Sequence, residues 1–566
     1  MPGAPGSAGE PPDDAWFAGP PDGHRPRSRA RAALFTLMTI LVVIGFATYA
    51  LLPNERRVSN PTVAPTPTHG AAPGGSAIIA GGAPATWDPA LMGDAETADV
   101  LAQVYEGLTA FDADSNVQPA LAQSWSIDDS GQRIVFQLRP DITFSDGTPI
   151  TAQDVVDSWL RLLDPRRPSP LSSLLGDVVG ASAYLSGQGD RASVGLSAAG
   201  STVVVQLQRP AAYFVAVTAS PSLAVVPPSI GDTQVGPDLP TGLVASGAYV
   251  PVKESDTDIS LQANAHYWAG PPALATIDLV TDIQGQSPVA VFEAGQADWI
   301  EISPSDASWI RYDATLGPQL RHSDAFSVDY YGFDTTRAPF NDPLVRQAFA
   351  QAVDWHELAR LADPDSVPAT SLIPAGIPGR GDADLSPVHD PDAARAALAK
   401  AGFPGGAGFP TVTLTTPGSP YDDGVAKQLK DVLGITIAIE DRPFDEYSKL
   451  LDAATGRPQF WELTWIADFP APQDFLGLLL GTGSASNPGQ WSNSDFDADL
   501  AAAAATTDPT AQAAQYADAQ TIVRDQAPVI PVTYGSDWAL SRDGLLGAAE
   551  SGVGLLRFGG LAWAPR

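Results

Sequence analysis

Cysteine is absent from all 566 residues. Disulfides, thiolate metal sites, cysteine nucleophiles and a lipid-modified cysteine are therefore excluded. Positive charge is scarce: 31 Lys and Arg stand against 65 Asp and Glu, a net charge of −34. Such a chain repels phosphate backbones, so nucleic acid is not an expected partner. Histidine is rare as well. His266, His322, His356 and His389 are scattered, and none forms an HxxxH or His/carboxylate pattern, so no metal site is expected. The chain also lacks a GxSxG nucleophile elbow, a Walker A loop and an HExxH motif. Neither catalysis nor a cofactor is expected, and with so many carboxylates no single acidic pair carries weight.

The length is too great for one ordinary core and predicts two or three lobes. Residues 1–31 are Pro/Gly-rich and read as a disordered cytoplasmic tail. Residues 32–52 (AALFTLMTILVVIGFATYALL) carry no charge. As a helix they would span roughly 31 Å, close to a bilayer core. Arg25, Arg27, Arg29 and Arg31 precede the run and only Arg56 and Arg57 follow closely, which predicts an anchor with the rest of the chain outside. A cleaved signal peptide, with an apolar region of about 7–15 residues, is the competing reading. Residues 53–75 form a Pro/Thr/Gly linker.

The most informative segment is Leu121 to Asp164. Ile134 to Leu138 is a β-rich run after the turn signal Asp128-Asp129-Ser130-Gly131. Ser145-Asp146-Gly147 is a second turn. Thr151 then predicts a helix N-cap, with Asp154 as an acidic variant of a capping box. Val155, Val156, Trp159, Leu160 and Leu163 follow at helical spacing. Further on, Asn341 is an N-cap candidate ahead of Pro343, and Gly295 and Gly402 are helix C-cap candidates.

In order and spacing, the segment 121–164 resembles the signature stretch of the family 5 extracellular solute-binding proteins, the peptide-, nickel- and oligosaccharide-binding receptors of ABC importers. Other elements resemble the same family: Trp87-Asp88-Pro89, Tyr105-Glu106-Gly107-Leu108, Asn264 to Trp268, Tyr331 to Asp334, and Pro339 to Ala348. Asp334 stands where Asn is usual. The resemblance implies an α/β, periplasmic-binding-protein-like type II fold. It has two main αβ lobes with a hinge and a smaller subdomain, behind an N-terminal transmembrane helix. Lobe I is expected from 76–112, 226–330 and 540–566, the subdomain from 113–225, and lobe II from 331–539. A monomer that captures a peptide and delivers it to ABC permease and ATPase subunits is the implied activity. An oligosaccharide receptor or a tethered envelope sensor on the same fold is the alternative.

Trp465-Ile466-Ala467-Asp468-Phe469-Pro470-Ala471-Pro472 resembles the family element whose aspartate faces the cleft and pairs with the ligand's α-ammonium group. By motif position that residue is Asp468, with Trp465 placed to stack on ligand. A turn cap and a core tryptophan are the alternative. Tyr105, Tyr249, Tyr330, Tyr331, Arg442 and Trp491 fall near elements expected to border the cleft, where aromatics could cover peptide backbone or sugar faces, although such residues more often belong to cores.

Overall fold

A computed structural model describes residues 74–565, except 232–235, 363–364, 452, 454 and 507. The apolar run 32–52, the tail before it and nearly all of the linker lie outside the described residues. Among the described residues no helix is long and apolar enough to cross a membrane.

One mixed sheet organises the molecule. In chain order its strands are β1 (Gly75–Ala80), β2 (Tyr249–Glu254), β3 (Asp258–Ala263), β4 (Leu274–Val280), β5 (Trp299–Ile302), β6 (Leu320–Phe333), β7 (Val367–Pro368), β8 (Thr413–Thr416), β9 (Ala438–Asp441), β10 (Phe460–Ile466) and β11 (Val529–Ser541). They lie in the order β9-β8-β10-β6-β11-β5-β1-β4-β3-β2, with β7 beside β11. Parallel pairs join β1 to β4 and β5, and β8 to β9 and β10. The long strands β6 and β11 connect the two halves. Leu320–Asp324 pairs with Ser536–Leu540 in one half, and Val328–Gly332 with Val529–Tyr534 in the other. Between them Ala325, Phe326 and Ser327 break the register. Gly535 lies against this bulge, where a Cβ would stand 2.0 Å from Ser327 Oγ.

Strand alternation builds a core on each face of the second half. Tyr331 and Phe460 join Phe333, Phe340 and Phe349 on one face, while Tyr330 and Trp461 join Phe475 and Tyr516 on the other. Gly332 is required here because Trp461 lies across it, 2.2 Å from the position of a Cβ. In the first half Trp87, Leu101, Tyr249, Ile277 and Trp299 form a separate core.

A third core belongs to a four-stranded antiparallel sheet made of 122–127, 133–138, 202–206 and 196–199. The helix Ala152–Leu162 covers it with Val155, Val156, Trp159 and Leu160. The Thr151/Asp154 capping box is present in full. Arg161 on this helix reaches Asp88 at 2.6 Å and ties the sheet to the first half. The N-cap read at Asn341 moves by one residue. Asp342 caps the helix Pro343–Ala352 and its carboxylate accepts from the Leu344 N–H at 2.9 Å, because Pro343 occupies the first helical position. Asp334 is buried, yet its carboxylate is held by the Arg337 guanidinium at 2.6 Å and by Thr336.

Candidate functional site

A cavity of about 450 Å³ opens between the two halves of the sheet. Its floor comes from Ile79 to Gly82 as β1 ends, and from the first turns of the helix Ala95–Val104 through Ala95, Glu96, Ala98 and Asp99. Gly82 is needed where chain and helix meet, since a Cβ would stand 2.3 Å from Glu96. One wall is Trp299 to Glu301 with Asp537 on β11. The loop from Glu550 to Leu556 forms another. The opposite half contributes Ala325 and Ser327 of the bulge, and Ile466 at the end of β10. Ile466 is 60% exposed, an unusual state for an isoleucine on a central strand.

Gln103 stitches this architecture together. Its amide donates to the Leu556 carbonyl at 2.8 Å and accepts from the Phe558 N–H at 2.8 Å, fixing the Glu550 loop against the helix that carries Asp99. Glu106 reinforces the join by pairing with Arg557 at 2.7 Å and accepting from the Tyr267 hydroxyl at 2.6 Å.

The electrostatics are one-sided. The lining holds Glu96, Asp99, Glu301, Asp537 and Glu550, with no Lys, Arg or His among its described residues. Burial pushes the Asp99 carboxyl well above the ordinary range, and repulsion from Glu301 adds to it. Burial and Glu301 push Asp537 up to about 6. Glu550 is raised strongly by burial, then by Glu301, Asp537 and Asp99. No cluster of His, Asp or Glu among the described residues has the geometry to hold a metal ion.

Asp468 lies two residues beyond Ile466, outside the cavity lining. Burial raises its carboxyl and that of its neighbour Asp474, and the charge of Asp468 further raises Asp474. The Trp465 indole N–H donates to Asp474 at 2.7 Å, which fixes the half-buried ring beside the pair. Asp468 makes no ion pair among the described residues. Phe469 turns away into the core of the four-stranded sheet and stacks on Tyr213, with centroids 5.8 Å apart and planes at 9°.

The other residues singled out from the sequence lie elsewhere. Tyr105 and Tyr249 are buried in the core of the first half, the Tyr249 hydroxyl donating to the Leu274 carbonyl. Tyr330 and Tyr331 are buried on opposite faces of β6, and Tyr331 donates to Asp422 at 2.7 Å. Trp491 is buried and donates to Gln526. Arg442 is partly exposed and pairs with Glu440 at 2.6 Å. None of these six lines the cavity. The acids that do line it escaped the sequence reading, because they are far apart in the chain and only the sheet order brings them together.

Comparison with known proteins agrees with this architecture. Residues 116–487 match the family described as bacterial extracellular solute-binding proteins, family 5 middle. The probable deoxycholate-binding periplasmic protein YgiS of Escherichia coli is 30% identical over 475 residues, covering 80% of this chain and 86% of that protein. The periplasmic murein peptide-binding protein MppA of E. coli is 28% identical over 470 residues, 79% of this chain and 85% of that one. The solved structure of the E. coli murein tripeptide binding protein MppA superposes with a TM-score of 0.73 at 24% identity, covering 88% of this chain and all of that one. The mixed α/β fold is that of type II periplasmic binding proteins, and the chain belongs to family 5 of the bacterial extracellular solute-binding proteins.

Proposed function

We propose that the chain is the receptor of an ABC importer and captures peptides in the cavity between the halves of its sheet. The carrying observation is a cavity walled by both halves and crossed by the register break at Ala325–Ser327. Ligand contact with both walls favours a closed arrangement through its differential affinity, and the bulge opposite Gly535 is the hinge in this reading. Asp468 lies two residues beyond Ile466, which lines the cavity, and its carboxyl is raised by burial, so an ammonium group would be a fitting partner. Display outside the cell by the uncharged run 32–52 belongs to the same proposal, and alkaline extraction of the full chain from membranes tests it.

Two relatives suggest different ligands by name. Deoxycholate, in the name of YgiS, is an anion, and a lining of five carboxylates with no cation disfavours it. Peptide, in the name of MppA, carries an ammonium group as well as a carboxylate, and so brings a cation to that lining. Native mass spectrometry of the full chain before and after a mixed peptide pool tests the reading, with retained peptide masses as the expected result. Asp468→Ala is expected to weaken a free-amine peptide by about 2–5 kcal/mol if the pair is buried, and an N-acetylated one much less. Equal binding of the free-amine peptide by variant and wild type would remove the role of Asp468.

A further inference from the structure

We propose that the cavity selects an organic cation, an ammonium or guanidinium group seated among Asp99, Glu301, Asp537 and Glu550. This inference rests on the reading of the cavity as the ligand site and names the chemical class that fits it.

The four acids come from four separate elements and converge on one space: the helix 95–104, β5, β11 and the loop after Ala549. Two observations point beyond a solvated acidic patch. Asp99 Oδ1 is shielded from solvent and has no hydrogen-bond partner, and the Leu556 backbone N–H is what the rest of that carboxyl meets. Glu550 is only 6% exposed, and its side chain meets another acid, Glu301, rather than a base. Buried carboxylates without a counter-charge are expensive, and no protein cation lines the cavity to offset them. A ligand cation would supply the missing charge. A metal ion does not suit the spacing of these groups. The rest of the lining favours an organic carrier, since Ile283, Ile466 and Val553 offer apolar surface to the methylene stem of a lysine- or arginine-like chain.

Protons fill the role while the site is empty. Asp99, Asp537 and Glu550 all hold protons more tightly than ordinary carboxyls. Glu96 and Glu301 face the same group, and His322 beside Asp537 is the neighbouring base. An arriving cation lowers these affinities, so binding near neutral pH releases protons to the buffer.

The test is titration calorimetry of the full chain at pH 7 in two buffers of different ionisation enthalpy. The probes are tetra-alanine, its analogues with lysine at each position in turn, the matching norleucine analogues, and spermidine. At one position or more, lysine is expected to bind about tenfold or more tightly than norleucine, with net proton release. Asp99→Asn combined with Glu550→Gln is expected to collapse that ratio. Equal affinities for lysine and norleucine at every position, or binding without proton release, would overturn the proposal, as would a ratio unchanged in the folded double variant. If peptides bind regardless of charge, the cation assignment falls while the peptide reading stands. Spermidine binding without any peptide binding would support the cation site and remove the peptide reading. Binding of no probe would overturn both.

Discussion

Glu462 offers a quantitative test of the packing in the second half of the sheet. It lies on β10 opposite Tyr331 and is 5% exposed. Burial, followed by the charges of Asp329 and Asp422, pushes its carboxyl from 4.5 up to about 8. Between those values the folded chain holds a proton that the unfolded chain has released. Rising pH therefore destabilises the fold, by nothing below the unfolded value and by about 5 kcal/mol above the folded one. At pH 7 the penalty is about 3 kcal/mol. Glu462→Gln keeps the shape of the protonated acid and cannot ionise. Urea denaturation of the full chain at pH 4, 7 and 8.5 should show the variant equal to wild type at pH 4 and progressively more stable above it. Asp422 is also raised, but it is present in both proteins and drops out of the comparison to first order. A difference that does not change with pH, or a variant less stable at pH 8.5, would refute the reasoning.

Two further predictions concern the joins between cores. Asp88→Ala removes the buried carboxylate facing Arg161 and is expected to cost about 3–5 kcal/mol in denaturant unfolding at pH 7, with part of the loss recovered when Arg161→Met is added. Phe469→Ala removes the stack on Tyr213, a ring–ring attraction of about 0.5–1.5 kcal/mol beyond the burial of the ring itself, and should weaken ligand binding by about tenfold or more while the unliganded protein scatters X-rays with a larger radius of gyration.

Local chemistry carried much of the fold into the sequence. The Thr151 capping box, the stripe from Val155 to Leu163 and the strand around Ile134–Leu138 depend on neighbours a few residues away, and all three form as their spacing implies. The helix start at Asp342 rather than Asn341 shows the limit of that reasoning, because two adjacent residues can both cap and the proline decides between them. The site was less legible. Aromatic residues near motif elements looked suited to a cleft, but Tyr330 and Tyr331 are directed by strand alternation into two opposite cores. Asp99, Glu301, Asp537 and Glu550 carry no local signature, since their meeting depends on β5 lying between β1 and β11. Of the motif around Asp468 only Ile466 reaches the cavity, and Trp465 and Asp468 lie outside its lining.

Phe469 links chain travel to a calorimetric signal. Its ring, together with Ala471, completes a core to which the rest of its own segment does not belong. Any movement that parts the two halves at this point must hydrate that ring and the Tyr213 face beneath it. Hydrating apolar surface raises heat capacity, and withdrawing it again lowers heat capacity. Ligand capture accompanied by closure should thus have an enthalpy that becomes more exothermic on warming, even for a ligand whose own contacts are wholly polar.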